Sequence, residues 1–369
     1  MSARILALVV DCYGSQGGIA RYNQDLFEAL AEGGGAEILV LPRLGESTSL
    51  VLPAGIRQAR ATFGRLGFVL GALAAAWRER PLDIVFCGHV FMAPLALWLA
   101  RLSGARCWMQ AHGTDVWTDR RPGVRRAIES ADMVTTVSRY TRQSLLGWTD
   151  LAPERVRVLP DTMRDIFTPG TPAQDLRAGL ALGPGPLLLT VGRLAASERY
   201  KGHEQIFAAL PALRVRFPNL VHVVVGDGDD RQRLEARAAE LAGDSNAVRF
   251  LGFVPDADLP DLYRLADLYV MPSSQEGFGI VYLEAAACGL RVLGGLGGGS
   301  GDAIPDEAIG LRVDPADREA LVAAITRLLG QGRVDPRAID PYRRPRFTVA
   351  AQRLLARLMA RPRRMSTQA

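Results

Sequence analysis

Residues 268–294 read Leu-Tyr-Val-Met-Pro-Ser-Ser-Gln-Glu-Gly-Phe-Gly-Ile-Val-Tyr-Leu-Glu-Ala-Ala-Ala-Cys-Gly-Leu-Arg-Val-Leu-Gly. Leu268 to Met271 is a short β-type run, Pro272 to Gly279 has loop chemistry, residues 279–288 are apolar nearly all round a helix, and a second run spans Arg291 to Gly294. Strand, glycine-rich loop, buried helix and strand make one βα unit of a parallel sheet with both faces covered. Working outward, the same alternation predicts strands at Leu187 to Val191, Val221 to Val225 and Arg249 to Leu251, with helices near 203–216, 230–242, 258–265 and 317–330. In the first half, strands are predicted at Ile5 to Val10, Ile38 to Leu41, Asp83 to Cys87, Arg106 to Gln110 and Met133 to Val137. The aperiodic, proline-rich segment Leu159 to Ala173 reads as a linker. The expected organisation is α/β: two doubly wound, Rossmann-like domains, residues 1–165 and 175–340, with strand C-termini facing a cleft. Residues 341–369 are expected to form a last helix that packs back on the first domain and a basic, disordered tail.

With 369 residues and 48% hydrophobic composition, each half has enough apolar sequence for its own core. Four scattered cysteines (Cys12, Cys87, Cys107, Cys288) lack metal-ligand spacing and fit reduced thiols in a cytoplasmic protein. The N-terminal apolar run stops at Asp11 with no cleavage-site pattern after it, and no apolar segment reaches the roughly 20 residues needed to span a bilayer. Net charge is +5, yet the arginines are spread along the chain without interleaved aromatics, which argues against nucleic acid. The basic residues include one lysine only, Lys201, among 44. An ammonium kept where every other cation is a guanidinium marks a site that a planar fork does not fit.

Several residues carry possible chemistry. Gly17 and Gly18 follow the first strand and open the first helix, which suits either a tight βα turn or the close approach of an anion to helix N–H groups. The G-x-G-x-x-G spacing of a dinucleotide site is absent. His112, and less markedly His89, sit just past predicted strands, where ligands of open α/β sheets bind. Arg193 emerges directly after Val191-Gly192, and Lys201 lies in the same loop; a fork and a point charge together suit a diphosphate. Gly277 and Gly279 expose backbone N–H groups ahead of a helix. Glu284, deep in that apolar helix, is costly without a partner. Eight residues at about 1.5 Å each place Glu276 and Glu284 about 12 Å apart along the helix direction. A retaining glycosidase needs its carboxyls about 5 Å apart, so paired acid–base hydrolysis is excluded.

In this order, Gly17-Gly18, Val191-Gly-Arg193 with Lys201-Gly, Val225-Gly-Asp-Gly, Phe250-Leu-Gly-Phe-Val254 and Glu276-x7-Glu284 resemble the retaining nucleotide-sugar glycosyltransferases of GT-B architecture, glycosyltransferase family 4. The resemblance covers most of the chain. It implies that Arg193 and Lys201 bind the donor diphosphate, with Gly17 and Gly18 approaching it, and that Glu284 binds the ribose. It further implies that Glu276 and the segment Gly277-Phe278-Gly279 hold donor-sugar hydroxyls, that His112 contacts the transferred sugar, and that the base lies against Phe253 and Val254. Catalysis would then rest on His112, Glu276, Arg193 and Lys201, without cofactor or metal; Asp227-Gly-Asp229 only mimics a metal-binding D-x-D. The linker departs from the family in reading Pro160-Asp-Thr-Met, and the cluster Gly294 to Gly301 is longer than usual.

The implied reaction moves a hexose from GDP-mannose or a UDP-sugar to a glycan or polyprenyl-diphosphate-linked acceptor in cell-surface polysaccharide synthesis. Mannosyltransferases of polysaccharide assembly are most similar in the Lys-Gly-His and Gly-Asp-Gly-Asp-Asp wording. Were residues 56–79 helical, Arg57, Arg60 and Arg78 would lie beside Phe63, Leu66, Phe68, Val69, Leu70 and Trp77, a surface suited to peripheral contact with anionic membrane at its inner face. The competing readings are a sugar-nucleotide or glycan-binding protein of this fold without transferase activity, and an epimerase or phosphorylase of similar architecture.

Overall fold

Short apolar runs alternating with amphipathic stretches fold into two separate, wholly parallel sheets. The structure is a computed structural model and describes residues 2–15, 17–44, 51–61, 64–117 and 121–361. The chain divides into a first unit, Met1–Thr162 with Arg344–Ala369, and a second, Met163–Arg343.

The first unit contains β1 (Ala3–Val9), β2 (Ala36–Pro42), β3 (Ile56–Gln58), β4 (Ile84–Cys87), β5 (Arg106–Ala111), β6 (Met133–Thr136) and β7 (Val156–Val158). Its sheet order is β3-β2-β1-β4-β5-β6-β7. The helices are α1 (Gly18–Ala31), α2 (Arg65–Arg78), α3 (Ala93–Ser103), α4 (Thr114–Trp117), α5 (Pro122–Ser130) and α6 (Arg139–Leu146). The second unit contains β8 (Leu187–Val191), β9 (Val221–Val225), β10 (Val248–Gly252), β11 (Leu268–Met271), β12 (Val292–Gly295) and β13 (Gly310–Val313), ordered β10-β9-β8-β11-β12-β13. Around it lie α7 (Leu176–Gly179), α8 (His203–Arg216), α9 (Arg231–Leu241), α10 (Leu259–Leu265), α11 (Ile280–Ala287), α12 (Ser300–Ala303) and α13 (Arg318–Leu329). A last helix, α14 (Arg344–Met359), belongs to the first unit.

Strands covered on both faces are mostly apolar, and β5 and β8 are buried throughout, their polar Gln110 and Thr190 being hydrogen-bonded within the core. In the first core, Leu8, Val85 and Met109 meet Ala96 and Leu99 of α3; in the second, Leu188, Val270 and Leu293 meet Ile206 and Leu210 of α8 and Ile325 of α13. α14 packs on α1: Arg344 pairs with Glu28 at 2.6 Å and the Phe347 and Tyr22 rings meet edge-on at 6.1 Å. Buried Arg106, at the start of β5, donates to the Met359 carbonyl at 2.8 Å and satisfies the helix C-terminus. In both sheets the order reverses beside the unit's first strand, between β1 and β4 and between β8 and β11. Such a switch point opens a ligand crevice at the strand C-termini.

Two expectations are corrected. Residues 56–79 are not one helix: Ile56–Gln58 is an edge strand whose Arg57 is held by Glu79 at 2.6 Å, and α2 starts only at Arg65, after Gly64 at φ 78°. Arg57 and Arg60 therefore do not share a helical face with Arg78, while Phe63 lies outside the described residues, as does the tail beyond Arg361. Glu276 and Glu284 are not spaced by helical rise. Glu276 forms a parallel bridge with Gly298, and α11 begins four residues later at Ile280. The expected last helix forms over Arg344–Met359, with Pro345 tolerated in its first turn.

Candidate functional site

The second unit gathers its chemistry where β8 and β11 end. Gly192 follows β8 because a Cβ there would stand 3.2 Å from the Lys201 ammonium; a glycine lets the cation lie on the backbone. The Gly226-Asp-Gly228 loop fits against the same turn, where side chains would run into the carbonyls of Gly192 and Leu194. Its carboxylates are already used: Asp229 accepts the Ala196 N–H at 2.8 Å and Asp227 the Gly228 N–H at 2.8 Å. Among the described residues, no group of three or more His, Cys, Asp or Glu side chains gathers as a metal site.

Arg193 and Lys201, predicted to share a loop, do so through a residue that sequence reasoning missed. Glu198 takes an ion pair from Lys201 at 2.7 Å and one from Arg193, and Lys201 also donates to the Arg193 carbonyl at 3.3 Å. Burial alone would raise the Glu198 carboxyl, but its hydrogen bonds to Arg193 and Lys201 and their charges hold it below the usual range. The two cations differ in access: the Arg193 side chain is 70% exposed and that of Lys201 13%. A carboxylate three residues before one cation and five after the other was the available signal.

Beyond β11, the loop 272–279 is shaped by backbone packing. Gly295 and Gly297 lie against the Ser273 and Ser274 carbonyls, where a Cβ would sit 1.9 Å from each oxygen. The long glycine cluster thus lets the two loops run side by side, closed by the Glu276–Gly298 bridge and the Gly299 N–H to the Glu276 carbonyl. Ser274 N–H donates to the Tyr200 carbonyl at 2.9 Å, which ties this loop to the Lys201 turn. The Glu276 Oε1 is sealed from solvent and has no hydrogen-bond partner among the described residues. Burial pushes the Glu276 carboxyl up to about 7, against the pull of the Lys201 charge. The N–H groups of Gly277, Phe278 and Gly279 make no hydrogen bond within the described residues, so they remain donors at the start of α11.

Two of the expected donor-site residues also have protein neighbours of their own. Phe278 is a core residue, its ring 6.2 Å from that of Tyr342, and offers a ligand only its backbone. Glu284 is buried and accepts the Tyr263 hydroxyl at 3.0 Å, so this carboxylate has a protein partner. Phe253, after β10, presents a ring that is 55% exposed, with Val254 half-buried beside it.

In the first unit the predicted residues follow β1, β4 and β5. Gly17 caps α1 at φ 133°, which only glycine adopts readily. At Gly18 a Cβ would meet nothing within 4 Å, so packing does not explain that glycine. His112 is held by the Gly88 carbonyl, 3.0 Å from Nε2, and by the Tyr22 ring at 5.2 Å. A carbonyl only accepts, so Nε2 carries the proton and Nδ1 is left as an acceptor. Burial, with His89 beside it, lowers His112 to about 3, and the ring is neutral at any ordinary pH. Asp115 fixes the turn by accepting the N–H groups of His112 at 3.0 Å and Gly113 at 2.8 Å. His203 and His222 are core residues.

Known proteins match both units. Residues 174–342 match the family Glycosyl transferases group 1, and residues 16–162 match Glycosyltransferase Family 4. A GDP-mannose-dependent alpha-(1-6)-phosphatidylinositol monomannoside mannosyltransferase of Mycolicibacterium smegmatis is 34% identical over 274 residues, 70% of this chain and 69% of that one. A monoacylated-phosphatidylinositol-monomannoside counterpart from Corynebacterium glutamicum is 31% identical, covering 76% and 74%. The Anabaena HepE protein, solved with UDP-glucose, superposes with TM-score 0.80 at 18% identity over 96% of this chain and 99% of its own, a likeness of fold. Both halves of the chain match, and the likeness to curated mannosyltransferases extends over more than two thirds of each protein: it belongs to the family 4, group 1 glycosyltransferases of GT-B fold, enzymes that transfer a sugar from a nucleotide donor.

Proposed function

We propose that this transferase is a retaining, metal-independent hexosyltransferase that takes mannose from GDP-mannose to a hydroxyl of a lipid-linked glycan. The observation that carries the donor half is the cluster at the ends of β8 and β11: two cations sharing one carboxylate, beside a buried Glu276 whose Oε1 lacks a partner. Arg193 and Lys201 grip the diphosphate as fork and point charge. Sugar hydroxyls donate to Glu276 and accept from the free N–H groups of residues 277–279. Phe253 offers its face to the base, and Glu284, oriented by Tyr263, takes a ribose hydroxyl. Within the first unit, Gly17, Gly18 and the neutral His112, whose Nδ1 can accept from a sugar hydroxyl, are its own candidate ligand groups. GDP-mannose is favoured because the relatives above carry it in their names.

In the proposed step the bond from the anomeric carbon to the diphosphate oxygen breaks, the acceptor oxygen bonds the same face of that carbon, and its proton passes to the departing phosphate. Lys201 and Arg193 stabilise the charge that builds on that phosphate, and no carboxylate needs to act as nucleophile. Incubation with a panel of GDP-, UDP- and dTDP-sugars in EDTA, with proton NMR of the anomeric signal, tests this. Turnover of GDP-mannose to an α-linked product is expected. A β-linked product or an absolute metal requirement refutes the mechanism, and no turnover of any sugar nucleotide refutes the function.

The acceptor side includes a membrane surface. Leu66, Leu70 and Trp77 line one face of α2 at helical spacing; all three are exposed, Trp77 at 69%, with Trp98 and Leu102 of α3 also exposed. Leu70, Leu73, Trp77, Leu99 and Leu102 border a cavity of about 390 Å³, and Arg80 lies over the Trp77 ring at 4.3 Å. Exposed Arg65, Arg78 and Arg101 surround this apolar face, a combination that fits an anionic leaflet. No helix among the described residues is long and apolar enough to cross a membrane. Sedimentation with phosphatidylglycerol vesicles is expected to retain the protein, and Trp77→Ser with Leu70→Ser to release it; binding equal to that of neutral vesicles refutes the surface.

A further inference from the structure

The loop Gly226-Asp-Gly-Asp-Asp230 after β9 mimics a metal motif in sequence, yet its last carboxylate is the one most enclosed by protein. Asp230 is 3% exposed and accepts four guanidinium N–H groups: Nε and Nη2 of Arg199 at 3.3 and 3.0 Å, and Nε and Nη2 of Arg233 at 2.7 and 2.6 Å. The hydrogen bonds from Arg233, opposed by burial and aided by those from Arg199, hold its carboxyl below the usual range. Arg233 belongs to α9 and is itself held by Glu204 of α8. Arg199 lies in the turn Ala196–Lys201, directly after Glu198 and two residues before Lys201.

That turn does not set its own shape. Glu198 has φ −118° and ψ 27°, which interrupts the helical geometry, and the chain leaves through Gly202 at φ 83°. The turn is pinned from outside instead. Leu194 exchanges backbone hydrogen bonds with Asp227 and Asp230, both at 2.9 Å, and the Ala196 N–H reaches the Asp229 carboxylate at 2.8 Å. Closer to the two cations, the anchors are Arg199 on Asp230 and the Tyr200 carbonyl, which accepts the Ser274 N–H at 2.9 Å.

We propose that Asp230 is a positioning residue for transfer: through Arg199 it fixes the turn on which Glu198 aims Lys201 and Arg193 at the donor diphosphate. The inference rests on the reading of Lys201 as a diphosphate ligand and adds what holds that ligand in place. Charge on the departing phosphate is greatest in the transition state, so a cation that drifts lowers kcat more than it raises donor KM. Drawing an ammonium back by about 1 Å from a contact of about 3 Å lowers the rate about tenfold at the dielectric of a protein surface.

Single-turnover assays of the full chain, with the sugar nucleotide that the unaltered protein turns over, test it. The Arg199 side chain is 55% exposed, so Arg199→Ala removes the brace without opening the core, and Asp230→Asn keeps the shape of the buried group. Well below its melting temperature, Arg199→Ala is expected to lose about tenfold in maximal rate while half-saturation by donor shifts less than about threefold, and Asp230→Asn to lose severalfold. A merely structural ion pair would lower the melting temperature and leave that rate unchanged. In a Lys201→Met background, Arg199→Ala is expected to change the rate less than about twofold, because the group it acts through is gone. A normal rate in either single variant, a loss confined to donor binding, or a tenfold loss repeated in full on top of Lys201→Met overturns the proposal; Arg199→Ala decides if Asp230→Asn fails to fold. Lys201→Met by itself separates the two readings. A near-normal rate there refutes Lys201 as diphosphate ligand, whereas a slow Lys201→Met beside a normal Arg199→Ala sinks the positioning role alone.

Discussion

Replacing Glu276 by glutamine should stabilise the second unit while it slows transfer. Burial raises the Glu276 carboxyl to about 7 from its usual 4.5, and its Oε1 is sealed without a partner. A group whose proton is held more tightly in the folded state favours folding where it is protonated and loses that advantage as pH rises. Wild-type stability should therefore fall between pH 4.5 and 7 and stay lower above that range. At about 1.4 kcal/mol per pH unit of the gap, the loss is about 3 kcal/mol, an upper figure because the site can relax. Glutamine keeps the shape and does not titrate. The variant should match the wild type near pH 4.5 and exceed it above pH 7, by about 6–12 °C in Tm for a unit of 150–250 residues. Urea denaturation of the two proteins across pH 4–8 measures the difference directly. Because the carboxylate is the proposed acceptor for donor-sugar hydroxyls, kcat/KM should fall about 10–150-fold, the range for one charged hydrogen bond. A variant no more stable than wild type at pH 8, or a difference that does not grow with pH, refutes the reading of Glu276 as a strained, ligand-ready carboxylate.

Other perturbations probe the same sites. Lys201→Arg keeps the charge but not the fit over Gly192, so it should lower kcat/KM about 10–150-fold in steady-state assays, the range for one lost charged contact; near-normal turnover would remove the case for the lone lysine. Glu198→Gln leaves Arg193 and Lys201 with one more net positive charge toward the diphosphate. Product inhibition should show nucleoside diphosphate binding about 3–10-fold tighter and kcat lower, whereas weaker binding would make Glu198 a mere scaffold. Gly18→Ala places a methyl in open space, so stability should change by less than about 0.5 kcal/mol while donor KM rises severalfold; an unchanged KM would deny that a ligand approaches Gly18.

Much of this architecture was legible because the βα period is coarse: strands such as β8, β9 and β11 are apolar runs bounded by Gly and Asp, and the site residues stand directly after them. What escaped was short or tertiary. β3 and β7 have three residues each at sheet edges, too few for a period to register. The Tyr263 hydroxyl on Glu284 joins positions 21 residues apart, and the fit of Gly295 and Gly297 against Ser273 and Ser274 concerns backbone approach, which no side-chain pattern reports. That the Phe278 side chain belongs to the core is likewise a tertiary fact, since the resemblance concerns only its backbone N–H. Glu198 was within reach, since a carboxylate spaced between two cations on one turn is a readable pattern.

The parallel bridge between Met163 and Arg343 places the first and last residues of the second unit side by side. In topological terms that unit is an insert, entering and leaving its host through one doorway, with α14 beyond it belonging wholly to the host. Residues 163–343 can thus be excised, exchanged for the matching piece of a relative, or expressed alone with little splaying of their ends. Truncation at the natural-looking boundary after residue 343 would instead damage the host, by stripping Phe347, Ala351 and Leu355 from their packing. Any property that resides in the insert can then be transplanted without touching its host.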